Sequence, residues 1–406
     1  MMRFLQPLRD HPQFTVMVVV TVFVMSGVGM VSPILSVYAA TFSASATMAG
    51  MIITLFGVGR LVINLPAGIL SQRYGEKPLL MAGPLILVVG SLVAAGATNL
   101  ELLLLARFVQ GLGSGIYMTV ATAAIATMAP REERGRMMAL YQGGMLIGTG
   151  LGPAFGGVIA HRFGFAAPFW AYAVVCIIAL GIVWLSLRAP DARPPHGSEA
   201  PADEAVQATN TRTLLVDPLF LVVCLINFGV FLTRTASQWQ AIPLLAHERY
   251  QMGVDVIGFA LTLLAAMNFL TLPLTGTLVD RFGARKVTFV STLVTALSLL
   301  VIAFGDGRVW LWAGMALLGI GGGLNGPAIA AYAAEIVPSR LYGPAMGLLR
   351  TWGDAGFVFG PILVGLLADF GSVGAAGGLI ANAVLMTGAG LAFALLPFAR
   401  RRERTL

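Results

Sequence analysis

Charge is scarce in this chain. Asp, Glu, Lys and Arg together make up 11% of 406 residues, against about a quarter in a soluble domain. Lysine is almost missing: Lys77 and Lys286 are the two among 25 basic residues. There are two cysteines, Cys176 and Cys224, and four histidines. Two thiols inside apolar runs make no disulfide framework, and histidines outside those runs make no metal site. No P-loop, H-E-x-x-H or G-x-S-x-G pattern lies on a suitable element, which argues against an enzyme and against a nucleotide-driven pump. A receptor would want a sizeable soluble domain, and the longest polar loop is 28 residues, 189–216. No cleavable leader is expected, because the first apolar run, Phe14 to Ala40, is too long for one.

What the chain has instead is apolar length: 57% of it is hydrophobic. About 20 apolar residues cross a bilayer as a helix. A closed barrel would need short alternating strands, and continuous runs exclude it. The runs predict twelve helices at 14–40, 46–70, 79–97, 100–128, 136–160, 166–187, 218–245, 255–279, 287–304, 309–336, 342–368 and 376–398. The segment 189–216, with Pro194, Pro195, Pro201, Asp203 and Glu204, reads as a linker. The expected organisation is a six-helix bundle over 1–188, a cytoplasmic linker over 189–216 and a second six-helix bundle over 217–406. With the N-terminus inside, 18 basic residues fall on the cytoplasmic side and three outside, with Arg60, Arg107, Arg234 and Arg350 within helices. That bias puts both termini in the cytoplasm. It also accounts for the net charge of +7 without nucleic acid, and the basic tail Arg400–Arg404 meets anionic head groups.

A repeat organises the whole. Gly68, Arg73 and Gly75 recur as Gly276, Arg281 and Gly283; Gly111, Gly113 and Gly115 as Gly319, Gly321 and Gly323; Pro130 as Pro338; Gly152-Pro153 as Gly360-Pro361. Each pair is 208 positions apart. A constant offset means two equivalent bundles in the same order, an arrangement suited to alternating access.

Three motifs stand on this repeat. Gly276-Thr-Leu-Val-Asp280-Arg281-Phe-Gly283-Ala-Arg285-Lys286 joins helices 8 and 9; its copy, Gly68-Ile-Leu-Ser-Gln72-Arg73-Tyr-Gly75-Glu76-Lys77, has Gln72 for the acid. Its glycines suit close approach and a tight turn, and Glu335 is placed to pair with Arg281 or Arg285, so an ionic latch is expected in the C-terminal half alone. Helix 4 carries Arg107-Phe-Val-Gln110-Gly111-Leu-Gly113. Helix 5 carries Gly148-x-x-x-Gly152-Pro153-x-x-Gly156-Gly157, echoed in helix 11 by Gly356, Gly360 and Pro361, a spacing that lets two backbones touch. Over nearly its whole length the chain resembles the major facilitator superfamily, and within it the twelve-helix drug:proton antiporters. The resemblance implies an all-α membrane protein with twelve transmembrane helices in two pseudo-symmetric bundles, gating by the loop motifs, and a link between the Arg107 motif and proton coupling. A structural Arg107, bonded to backbone carbonyls, is an equal alternative.

The mid-membrane charges are Arg60, Arg107, Arg234, Arg350 and Asp354. A charge at that depth needs a partner or water. Arg350 and Asp354 are four apart and share a face. Asp354, the one acid near a membrane centre, is the candidate proton carrier; a permanent pair with Arg350 is the competing reading. Helix 1 lacks the acid usual in exporters of cationic drugs, which leaves the interior basic. Tyr38, Tyr117, Gln142, Asn227, Gln238, Trp239, Asn268, Asn325, Tyr332 and Trp352 are the expected cavity groups. The leading expectation is proton-coupled efflux of small amphipathic compounds from a monomer in a bacterial inner membrane, with no cofactor beyond the proton. The alternative is an organic-anion or metabolite transporter.

Overall fold

The computed structural model describes residues 2–130, 133–187, 214, 216–337, 341–370 and 374–396. Nearly all of the expected linker and the whole basic tail lie outside them. Twelve helices among the described residues are long and apolar enough to cross a membrane. They are α1 (Pro12–Val31), α2 (Ala46–Tyr74), α3 (Glu76–Ala95), α4 (Leu100–Met128), α5 (Arg134–Phe163), α6 (Ala167–Ser186), α7 (Pro218–Leu232, continuing to Tyr250), α8 (Val254–Phe282), α9 (Ala284–Phe304), α10 (Arg308–Ile336), α11 (Tyr342–Phe370) and α12 (Ala375–Leu395). Leu65, Phe163, Leu185, Val309, Phe370 and Leu395 are all exposed. So much open apolar surface fits a hydrocarbon surround and not water.

Local chemistry sets the helix ends. Ser45, Asn99 and Asp217 cap α2, α4 and α7, accepting hydrogen bonds from the backbone N–H of Met48, Leu102 and Phe220; such caps satisfy donors a helix cannot. Gly75 and Gly283 link α2 to α3 and α8 to α9 at φ +87° and +83°, where a side chain is strained. After α1 the chain tightens to a 3₁₀ turn at Ser32–Ile34 before a last helical stretch, Leu35–Ala40; Pro33 cannot donate the bond that would continue α1.

The chain forms two compact units. The first is Met1–His196 with Gln251–Thr262; the second is Gly197–Tyr250 with Leu263–Leu406. In the first, α1 packs on α5 and α6, α2 on α4, and α3 on α4 and α6. The start of α8 belongs here too: the Ala154 N–H donates to Thr262 Oγ1 at 3.1 Å, and His161 Nδ1 lies 3.5 Å from Asp255 Oδ1. In the second, α7 packs on α11 and α12, and α9 on α10 and α12. Phe220, Val223, Tyr332, Ala345 and Phe393 form part of its buried core.

The repeat holds at the level of single contacts. A Cβ on Gly111 would strike Phe56 O, and one on Gly319 would strike Leu264 O; both members are shifted by 208. The pairs Gly115–Ile63 and Gly323–Thr271 keep the same offset. α1 and α7 do not. Gly148 abuts Val22 and Ser26, and Gly356 abuts Phe228 and Leu232, an offset of 206 on α1 and α7. From Leu232 to Val254 the chain therefore has 22 steps (254 − 232), against 20 from Ser26 to Ala46 (46 − 26). The surplus coincides with a π-helical stretch, Thr233–Ala241. Bonding i→i+5 puts more residues into each turn, so two extra residues fit without breaking the helix.

Candidate functional site

In the first unit the glycine motif of α5 is a backbone contact. A Cβ on Gly152 would lie 2.6 Å from Gly29 Cα, and one on Gly156 1.9 Å from Met30 O. Gly157 abuts Val254 in the same way. Pro153 continues the contact on the other side, its carbonyl 2.2 Å from a Cβ on Gly258. In the second unit Gly356 and Gly360 press on Phe228 and Leu232 of α7, with Pro361 following inside α11.

Arg107 is 1% exposed. Its Nη1 donates to Gln110 Oε1 at 2.7 Å and its Nε to Ile52 O at 3.4 Å, while the Phe56 ring lies 4.4 Å from the guanidinium. Gln110 Nε2 passes the chain on to Ser91 Oγ at 2.9 Å. The motif thus ties α2, α3 and α4 together through an arginine with no carboxylate partner among the described residues. Arg60, half-buried on α2, packs its backbone on Gly115.

Four expected cavity residues are sealed in packing. Tyr117 is buried, its hydroxyl 2.8 Å from Thr21 Oγ1. Tyr38 stacks on Phe165 with ring centres 5.5 Å apart. Tyr332 meets Phe393 edge-on at 4.9 Å. Asn325 accepts from Ser291 at 2.7 Å and donates to Thr295 at 2.9 Å, joining α9 to α10. Polar atoms buried among helices need partners, and Tyr117 and Asn325 have found theirs. Gln142 is exposed, and Asn268 is half-buried beside Gly322.

The loop motifs also settle differently from expectation. Gly68 and Gly276 meet nothing within 4 Å among the described residues, so they make no close approach; the turn glycines are Gly75 and Gly283. Gln72, Arg73, Asp280 and Arg281 are exposed. Glu335 is exposed and, among the described residues, paired with neither Arg281 nor Arg285. Arg285 reaches the end of α12 instead and donates to the carbonyls of Phe393 (3.2 Å) and Leu396. Its repeat partner Lys77 donates to Trp184 O, at the end of α6, at 3.3 Å. Terminal carbonyls lack helical partners and attract cations, so these two bases act as helix caps.

The remaining predicted residues cluster on α7 and α11 in the second unit. Asn227 Nδ2 donates to Leu349 O at 2.7 Å. Phe228 and Trp352 meet edge-on at 6.4 Å, as do Trp239 and Phe357 at 5.8 Å. Arg350 Nε is 3.9 Å from Asp354 Oδ2, and the arginine side chain is 71% exposed against 30% for the acid. That is a loose pair. Gln238 and Trp239 are half-buried and Arg234 is exposed, all three on the π-helical stretch. Two features here escape motif reading. One is the π stretch, whose trace in the sequence is the 206 offset of α7. The other is Asn382 of α12, whose Nδ2 donates to Thr233 Oγ1 and Ser237 Oγ, both at 2.8 Å.

Known proteins match this picture. The family model described as Major Facilitator Superfamily matches residues 17–239 and 228–406. An uncharacterized transporter of this type from Methanocaldococcus jannaschii is 25% identical over 351 residues, 86% of this chain and 90% of that one. The quinolone resistance protein NorA of Staphylococcus aureus is 23% identical, covering 84% and 86%. The human synaptic vesicular amine transporter is 25% identical over 76% of this chain, which spans 59% of that relative. Among solved structures, the nucleoside transporter NupG aligns with a TM-score of 0.76 at 14% identity, over 94% of this chain and 98% of that one. A bacterial homologue of the human lysosomal transporter Spinster aligns with a TM-score of 0.74 at 17% identity, over 96% and 97%. These twelve helices, repeated by contact as well as by sequence, are those of a membrane transporter, and the chain belongs to the major facilitator superfamily.

Proposed function

We propose that this transporter exports small amphipathic organic compounds by alternating access, driven by proton entry, from the inner membrane of a bacterium with both termini in the cytoplasm. The observation that carries the reading is the Arg350–Asp354 pair, held at 3.9 Å with the arginine open. A carboxylate in so loose a pair can exchange its partner for a proton. Substrate and proton then compete for the same α11 face. Gln238, Trp239, Asn227 and Trp352 supply mixed polar and aromatic contacts of the kind such ligands use. The names of two relatives, a quinolone resistance protein and a vesicular amine transporter, support drug-like or amine cargo. A second reading, organic-anion transport, draws on Arg234 and Arg350, both exposed.

Proton flux in proteoliposomes loaded with a pH-sensitive dye tests the proposal. Addition of amphipathic substrates should drive proton movement in the native protein and none in Asp354→Asn. Coupled flux that survives Asp354→Asn would remove the acid from the mechanism.

A further inference from the structure

We propose that Arg234 is a carboxylate-recognising residue, so that the substrates are organic acids with an aromatic or apolar body. The inference rests on the transporter reading above and takes its second form, organic-anion transport, as the one that sets the substrate class. Arg234 is exposed and has no hydrogen-bond or ion-pair partner among the described residues. A charge at this depth is costly against hydrocarbon and faces a bundle interior or a water-filled cavity. A guanidinium is always charged, and its planar fork matches a carboxylate through two parallel hydrogen bonds. In a poorly hydrated interior an unmatched charge is costly, and an anionic ligand supplies the match the protein withholds. Asp354, the acid on the adjacent helix, has Arg350 as its ion-pair partner, at 3.9 Å.

The backbone presents this arginine deliberately. Asn382 Nδ2 of α12 donates to the hydroxyl oxygens of Thr233 and Ser237, and Thr233 Oγ1 donates in turn to Gly229 O at 2.7 Å. These bonds hold the π stretch against α12, and Arg234, the next residue after Thr233, is left exposed. Trp239, edge-on to Phe357, lies on the same stretch and offers an apolar shelf for the body of the acid. Asn382 is thus a positioning residue and Arg234 the specificity-determining one.

The probes are 2-naphthoate, 2-naphthamide and 2-naphthylmethylamine, which share a body and differ in charge. Binding is read on the purified full chain by isothermal calorimetry, and flux in proteoliposomes. The native protein should bind the naphthoate at least about tenfold more tightly than the amide. Arg234→Gln should abolish that ratio by weakening the naphthoate alone, and Arg234→Lys should keep part of it. Asn382→Ala should lower the ratio as well; equal weakening of both probes would make Asn382 a packing residue and remove it from the proposal. The inference is overturned if the native protein binds the amide or amine as tightly as the naphthoate, if no naphthoate binding is detected, or if Arg234→Gln weakens all probes alike. Flux driven by the amine alone overturns the inference and leaves transport standing. Naphthoate binding with no flux of any probe keeps the site and refutes the export reading.

Discussion

Replacing Gly156 by alanine tests the backbone contact between α1 and α5. A methyl built there lies 1.9 Å from Met30 O and 2.5 Å from Met30 C. Ordinary contact begins near 3.4 Å, so the helices must part by roughly 1.5 Å at that point. The obstruction is backbone, and no rotamer change relieves it. Alanine in place of glycine would by itself favour a helix by about 1 kcal/mol, while overpacking of this kind costs roughly 1–3 kcal/mol or more. With backbone as the obstruction the cost lies at the upper end, so the net expectation is a loss of about 2 kcal/mol, or roughly 4–8 °C in melting temperature for a unit of this size. Gly181 of α6 meets nothing within 4 Å, so Gly181→Ala should melt at or slightly above the native temperature. The protein carries its own reporters. Cys176 and Cys224 are both fully buried, one in each unit. In a Cys224→Ser background, a fluorogenic maleimide reads exposure of Cys176 as the first unit unfolds. If Gly156→Ala melts at or above the native temperature, the contact is looser than described and the packing argument for the α5 motif fails.

Gly283→Ala, at φ +83°, should cost about 1–3 kcal/mol, seen as a lower melting temperature through Cys224. Arg285→Ala should lower stability and transport together, with Arg285→Lys intermediate, because the side chain caps α12; transport lost at unchanged melting temperature would return it to a gating role. Asn325→Leu removes the bonds to Ser291 and Thr295, whose hydroxyls keep only the carbonyls of Thr288 and Ser291, and should destabilise the second unit by about 1–3 kcal/mol in the same thiol assay. Asp354→Asn should make flux insensitive to an imposed pH gradient, measured by dye-loaded proteoliposomes.

The helices were legible because hydrocarbon imposes one rule over twenty residues at a time. Most boundaries fall within three or four residues of expectation; α7 runs furthest past it, to Tyr250 instead of 245. The glycine contacts of α5 and α11 were legible as spacing. Partner choice was not. Glu335 and Arg285 are the right types for an ion pair, but Arg285 lies closer to the open carbonyls of α12, and a terminal carbonyl is invisible in a list of charged residues. Tyr117 and Asn325, 208 positions apart, both look like cavity groups by type. Each is turned into a helix interface by hydroxyls on a neighbour: Thr21 for one, Ser291 and Thr295 for the other. The polarity of a residue in a membrane helix says that it needs a partner; which neighbour supplies it depends on helix rotation, and a repeat offset does not carry that.

The two surplus residues of α7 bear on how such a protein acquires a preference. Two bundles built to one plan carry the same spacing at matched positions. Substitution alone changes the chemistry of a wall and leaves its spacing intact. An insertion absorbed as π-helix does more, because it rotates every following side chain against its counterpart in the other half and cannot be reversed by a point mutation. At Thr233–Ala241 the backbone of the second half departs from the spacing of the first, while the glycine contacts of α4 and α10 keep a common offset.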